Sequence, residues 1–131
     1  MDELIVVLRK AFKIKEIKES VLDEEWLARN FESQIHSTGF CRIACEIIYK
    51  LTGGKERWTV KVISKKQWEH GSHYYLEEKG TKIILDITSD QYTLKDICIP
   101  YHLGRGTSFR TNPEKLSKKG QLLVKCAGIN I

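Results

Sequence analysis

The sequence predicts an α+β fold. Three observations lead there. The first half reads with helical periodicity, the middle switches to the two-residue alternation of strands, and a Lys-Gly turn separates two of the predicted strands. Length fits this class, since 131 residues make one compact domain, 1–131, with little room for a second. Within it we expect a helical N-terminal segment over 1–33, a core over 36–115 and a C-terminal helix over 112–126.

The elements follow in order. Residues 3–18 place Leu4, Leu8, Ala11 and Phe12 on one side and lysines on the other, as one amphipathic helix does. A second helix over about 22–31 starts on Asp23, Glu24 and Glu25, whose charges suit a helix N-terminus. Residues 34–39 form a polar loop. The pattern is clearest from Phe40 to Leu51, where Phe40, Ile43, Ala44, Ile47, Ile48 and Leu51 make a wide apolar stripe. This predicts a central, buried helix, capped by Ser37 or Thr38 and stopped by Gly53 and Gly54. Strands are predicted over 58–62, 73–78, 81–88 and 97–101, with a turn at Gly104-Arg105-Gly106. Asn112 and Pro113 supply a cap and a first position for the last helix, which Gly120 weakens.

Composition excludes several functional classes. Hydrophobic residues make up 41% and charged residues 30%, neither disordered nor membrane-like. The early apolar run Leu4–Leu8 is too short to span a bilayer and is flanked by charges. We therefore expect a cytoplasmic protein, no membrane partner, and free thiols at Cys41, Cys45, Cys98 and Cys126. No ligand-pair spacing argues for zinc, and no motif calls for a cofactor. Residues 1–90 hold fifteen Lys/Arg and fifteen Asp/Glu, whereas 91–131 hold seven against two, which accounts for the net +5. That segment is either a solvated helix face or a surface for an acidic partner or nucleic acid. Nucleic acid is the weaker expectation, because no recognised binding motif is present.

Three residues stand out chemically. Cys41 opens the central helix, where unpaired amides and the helix dipole favour a thiolate. A two-residue turn at Lys79-Gly80 pairs Glu78 with Thr81 and so sets His73 directly opposite Asp86. Opposed Cβ atoms lie roughly 4.5–5.5 Å apart, which suits an imidazole–carboxylate hydrogen bond. A one-residue slip would put the two on opposite faces. The predicted constellation is a Cys41–His73–Asp86 triad: nucleophile, general base and acid, and orienting carboxylate. The Cys41 backbone N–H supplies one oxyanion donor, and Gln34, His36 and Gln91 are candidates for the second, Gln34 first. Cys45, Cys98 and Cys126 read as inert core thiols, Cys45 alternatively as a resolving thiol.

At these residues the sequence resembles the papain-like and transglutaminase-like cysteine enzymes. The matching stretches are Gly39-Phe40-Cys41, Gly71-Ser72-His73-Tyr74-Tyr75 and Leu85-Asp86-Ile87-Thr88-Ser89-Asp90-Gln91-Tyr92. More narrowly, it resembles small uncharacterised bacterial and phage proteins with a similar Cys helix, His-aromatic strand and Asp-x-Thr-x-Asp-Gln-aromatic segment. The resemblance implies a Cys-bearing central helix packed on a mostly antiparallel sheet, with helices at both ends. It implies hydrolysis or acyl transfer at an amide or thioester carbonyl of a protein or peptide, as in peptidases, deamidases or transglutaminases. The Gln-x-Gly-x-Cys-x-x-Cys signature of papain itself is absent. Thr88, Asp90 and Gln91 either shape the hairpin exit or line the site. The competing expectation is a non-enzymatic binding protein, of phage type, that uses the basic C-terminal segment.

Overall fold

In the computed structural model, residues 2–109 and 115–130 are described. They form helices α1 (Asp2–Ala11), α2 (Lys15–Val21), α3 (Glu24–Ser33), α4 (Cys41–Leu51), α5 (Asp90–Thr93) and α6 (Lys118–Cys126). The strands are β1 (Trp58–Ile63), β2 (His73–Glu78), β3 (Ile84–Leu85) and β4 (Arg105–Thr107). All ladders are antiparallel, in the order β3-β2-β1-β4. The α+β class therefore holds. No helix among the described residues is long and apolar enough to cross a membrane.

The predicted helix over 3–18 is two helices. Ile14 is extended, at φ −86° and ψ 118°, and precedes α2. The reason is facial: Ile17 lies nine residues after Leu8, half a turn round a continuous helix, yet both are buried. The break rotates α2 so that Ile17 and Val21 also reach the core. Phe12, at the break, stacks on Phe40 with ring centroids 4.5 Å apart. The second helix begins two residues later than the apolar pattern suggested, because Asp23 is its cap and accepts from the Trp26 N–H at 3.0 Å.

The stripe on α4 is buried as its period demands, with Phe40, Ala44, Ile47 and Ile48 at most 1% exposed. It packs against Trp58, Val60 and Leu76 of the sheet and Leu123 and Val124 of α6 in one core. α6 starts at Lys118, capped by the Ser117 hydroxyl, which accepts from Gly120 N–H at 3.1 Å. The predicted start at Asn112-Pro113-Glu114 lies outside the described residues. Buried Glu46, on α4, accepts from the Ser117 N–H and so satisfies an amide at the head of α6. Gly120 lies against that carboxylate, where an added Cβ would stand 3.0 Å from Glu46 Oε1. Its place in the helix reflects close packing.

Three strand predictions are corrected. The 81–88 strand shrinks to Ile84–Leu85, because the hairpin turn is longer than two residues. Leu76 pairs with Leu85 and Glu77 with Ile84, so the register is shifted by two from the predicted one. Lys82 sits in the turn at φ 63°, and Ile83 is exposed there instead of facing the core. Residues 97–101 form no strand and lead into a 3₁₀ turn over Tyr101–Leu103. The predicted turn at 104–106 is instead the edge strand β4, paired with β1. Gly104 passes so close to the Tyr75 ring that any side chain would strike its hydroxyl. Cys98 and Cys126 are exposed; of the three thiols expected in the core, only Cys45 is buried.

Candidate active site

Alternation along β2 builds the site. Tyr74 and Leu76 face the core beneath α4. His73 and Tyr75 face the other way, and the β2–β3 register brings Asp86 to that same side. A shift of two residues preserves the face, whereas a shift of one would have lost it. His73 is therefore diagonal to Asp86, not opposite it, and its Nε2 meets Asp86 Oδ2 at 2.6 Å. The imidazole is fully buried and the carboxylate nearly so.

Cys41 reaches this pair from the first residue of α4. Asp86 occupies Nε2, and among the described residues the buried Nδ1 has no hydrogen-bond partner of ordinary geometry. The Cys41 thiol is nevertheless near enough to act on the ring. Burial opposes the imidazolium, but the Asp86 hydrogen bond, the Cys41 side chain and both their charges outweigh it, lifting His73 from 6.5 to about 9. A ring so placed is protonated at neutral pH and presents a cation to the sulfur. Cys45, one turn further along α4, is different: burial, then the neighbouring Cys41 and Asp86, push its thiol well up. It stays a neutral core thiol.

Three tyrosines to which the sequence reading gave no role complete the shell. Tyr101 Oη donates to Asp86 Oδ2 at 2.7 Å, and Tyr75 Oη donates to the Tyr101 carbonyl at 3.0 Å. Burial, then the Asp86 hydrogen bond, push the Tyr101 phenol up, so it remains a donor. Tyr92 meets the His73 ring edge-on at 5.0 Å and stacks at a tilt on Trp68 at 4.8 Å. No periodicity marked Tyr101, because the 3₁₀ turn that delivers it follows Pro100 in irregular chain.

The Asp-x-Thr-x-Asp-Gln-aromatic segment braces the loop that carries Cys41. Thr88 Oγ1 lies 3.5 Å from Asp86 Oδ1. Asp90 accepts from the Ser37 hydroxyl and, at 3.3 Å, from Arg9. Gln91 Oε1 accepts from Gly39 N–H at 3.3 Å, and its Nε2 donates to the Thr88 carbonyl at 3.1 Å. Ser37 and Thr38, the predicted caps, are thus engaged elsewhere, Thr38 with Ser33 at 3.0 Å. Phe40 holds the cap position of α4 with no side-chain cap bond. Among the described residues, no side-chain hydrogen bond reaches the first-turn amides of α4, Cys41 included.

Two of the three candidates for the second oxyanion donor, Gln34 and His36, line a separate depression. Gln34 ends α3 in the left-handed conformation, φ 60°, and lines a depression with Lys18 and His36, apart from His73. His36 is bonded to Lys18 at 2.8 Å. Gln91 is close by; its Oε1 and one Nε2 hydrogen are engaged, which leaves the second Nε2 hydrogen as a donor. Beside the site runs a groove of about 530 Å³ between α3 and α5, walled by Trp26, Arg29, His70, Tyr92 and Lys95 over Thr38 and Gln91. Among the described residues no three metal-ligating side chains cluster. Comparison with protein-family models, curated proteins and solved structures gave no match.

Proposed function

We propose that the protein is a cysteine-dependent hydrolase or acyl-transfer enzyme of papain-like or transglutaminase-like type, acting on an amide or thioester carbonyl of a protein or peptide. The observation that carries this reading is His73, buried between Asp86 at 2.6 Å and a thiol at a helix start. Cys41 thiolate attacks the carbonyl carbon and His73 imidazolium donates its proton to the leaving group, forming a thioester. Neutral His73 then deprotonates water or an acceptor amine as it attacks the thioester, which releases the acyl group and restores the thiolate–imidazolium pair. Asp86 fixes the ring and stabilises its cation, and Tyr101 fixes Asp86. The uncapped amides of α4, beginning with Cys41 N–H, face developing oxyanion charge. The groove beside Tyr92 gives an extended peptide a place to lie.

The test uses p-nitrophenyl acetate, an activated ester that needs no substrate recognition. The wild type should release a burst of nitrophenolate and carry an acetyl group on Cys41 by intact-mass analysis. Cys41→Ala should remove both, and His73→Ala should slow acylation by about 10²–10⁴-fold. Acetylation spread equally over Cys41, Cys98 and Cys126 would defeat the reading.

A further inference from the structure

Lys18 is a buried cation without a counter-ion. It is 5% exposed, and no carboxylate lies within 4.0 Å of it among the described residues. Its Nζ reaches His36 Nδ1 at 2.8 Å and lies 5.5 Å from the Phe31 ring. A neutral imidazole and an aromatic face accept a donor, but neither cancels a charge. Lysines are rarely buried this far unless paired, because the unpaired charge is costly.

The surroundings concentrate the deficit. Lys18 lines a depression of about 450 Å³ with Lys13, Lys15 and His36, and no Asp or Glu is among its lining residues. Lys15 reaches Glu19 at 3.9 Å, but both are exposed, so that pair neutralises little. Asn30 also lines the depression and is fully buried. Its Nδ2 donates to the carbonyls of His36 and Thr38 at 3.0 and 2.9 Å, and among the described residues its Oδ1 has no partner. One pocket therefore gathers three ammonium groups, of which only the exposed Lys15 has a carboxylate partner, and one amide oxygen lacking a donor among the described residues.

We propose that this depression binds hydrogen phosphate or a phosphate monoester, whose anionic oxygens serve as the counter-ion that Lys18 lacks. Phosphate suits the site on two counts. It carries more than one negative charge against three lysines, and hydrogen phosphate, or the singly ionised form of a monoester, keeps a P–O–H that offers the donor Asn30 Oδ1 is missing. Sulfate matches the charge but has no such donor. The ligand touches the same loop, residues 34–39, that leads into Cys41, and the site is separate from the catalytic groove.

The experiment is a thermal-unfolding and calorimetric titration of the full chain with inorganic phosphate, sulfate, O-phosphoserine and potassium chloride at matched ionic strength. The unfolding midpoint should rise with phosphate concentration and saturate, more than with sulfate and not with chloride. A tighter response to O-phosphoserine assigns the site to a monoester, and a tighter response to inorganic phosphate assigns it to the free ion. Lys18→Met keeps the apolar stem and removes the charge. It should abolish the phosphate response while unfolding, without phosphate, no lower than the wild type. Lys13→Ser with Lys15→Ser, both at the rim, should weaken binding about tenfold or more with the fold intact. Equal effects of chloride or sulfate and phosphate, or an undiminished phosphate response in Lys18→Met, would overturn the proposal.

Discussion

Replacing Asp86 by Asn separates the electrostatic role of the His73–Asp86 pair from its packing. The amide occupies the carboxylate's volume but removes the charge, leaving a neutral and weaker acceptor where the carboxylate meets Nε2 at 2.6 Å. In the folded protein the His73 pKa stands at about 9 against 6.5 for the free side chain. At about 1.4 kcal/mol for each tenfold change in proton affinity, that difference corresponds to about 3 kcal/mol. The sign follows from linkage: a raised folded pKa stabilises the native state fully below pH 6.5, and the contribution disappears as pH rises through about 9. Wild-type stability, from urea unfolding at a series of pH values, should therefore fall by up to about 3 kcal/mol across that window. In Asp86→Asn the largest group raising the pKa is gone while burial still disfavours the charged ring, so the slope should nearly vanish and the NMR titration of His73 should move to or below 6.5. Equal slopes in the two proteins, or a wild-type His73 that titrates near 6.5, would refute the reasoning.

Other elements respond in defined ways. Tyr101→Phe deletes the donor to Asp86 and should cost about 1 kcal/mol in urea unfolding, with His73 still titrating well above its free value. Ser37→Ala breaks the contact with Asp90 and leaves a carboxylate short of a donor; a loss of about 1–2 kcal/mol by the same assay is expected, with faster hydrogen exchange at Gly39 and Phe40. Gly104→Ala forces a Cβ onto the Tyr75 hydroxyl and should lower stability by about 1–3 kcal/mol. For Gly120→Ala, helix propensity alone promises a gain of about 1 kcal/mol. The contact 3.0 Å from the anchored Glu46 carboxylate should reverse it, so a net gain in thermal midpoint would show that Glu46 yields.

Legibility in the sequence followed how locally each feature is determined. The α4 stripe was readable because a single helix face faces a single core, and its burial needs no partner register. The helix over 3–18 failed because the pattern of its first half was extended past Phe12, while Ile17 and Val21 already pointed to another face. The His73–Asp86 contact was reached through a register that is wrong by two residues. It survived because strand parity, and not the exact partner, decides which face a side chain takes. Tyr101, Tyr92 and β4 were missed for a common reason. Their positions are set by tertiary packing, Tyr92 on a helix of a single turn and the others beyond irregular chain, where periodicity carries no signal. The capping assignment to Ser37 and Thr38 was locally reasonable, but Asp90 and Ser33 compete for those hydroxyls from outside the helix.

The central claim is that His73, held by Asp86, activates Cys41. It is tested most directly by the rate of Cys41 alkylation with iodoacetamide against pH, resolved from Cys98 and Cys126 by peptide mass spectrometry. Those two exposed thiols serve as internal standards. The account predicts that Cys41 is alkylated faster than both standards near neutral pH, and that His73→Ala brings its rate down to theirs. A Cys41 profile that coincides with Cys98 and Cys126 in the wild type, or one unchanged by His73→Ala, would contradict it.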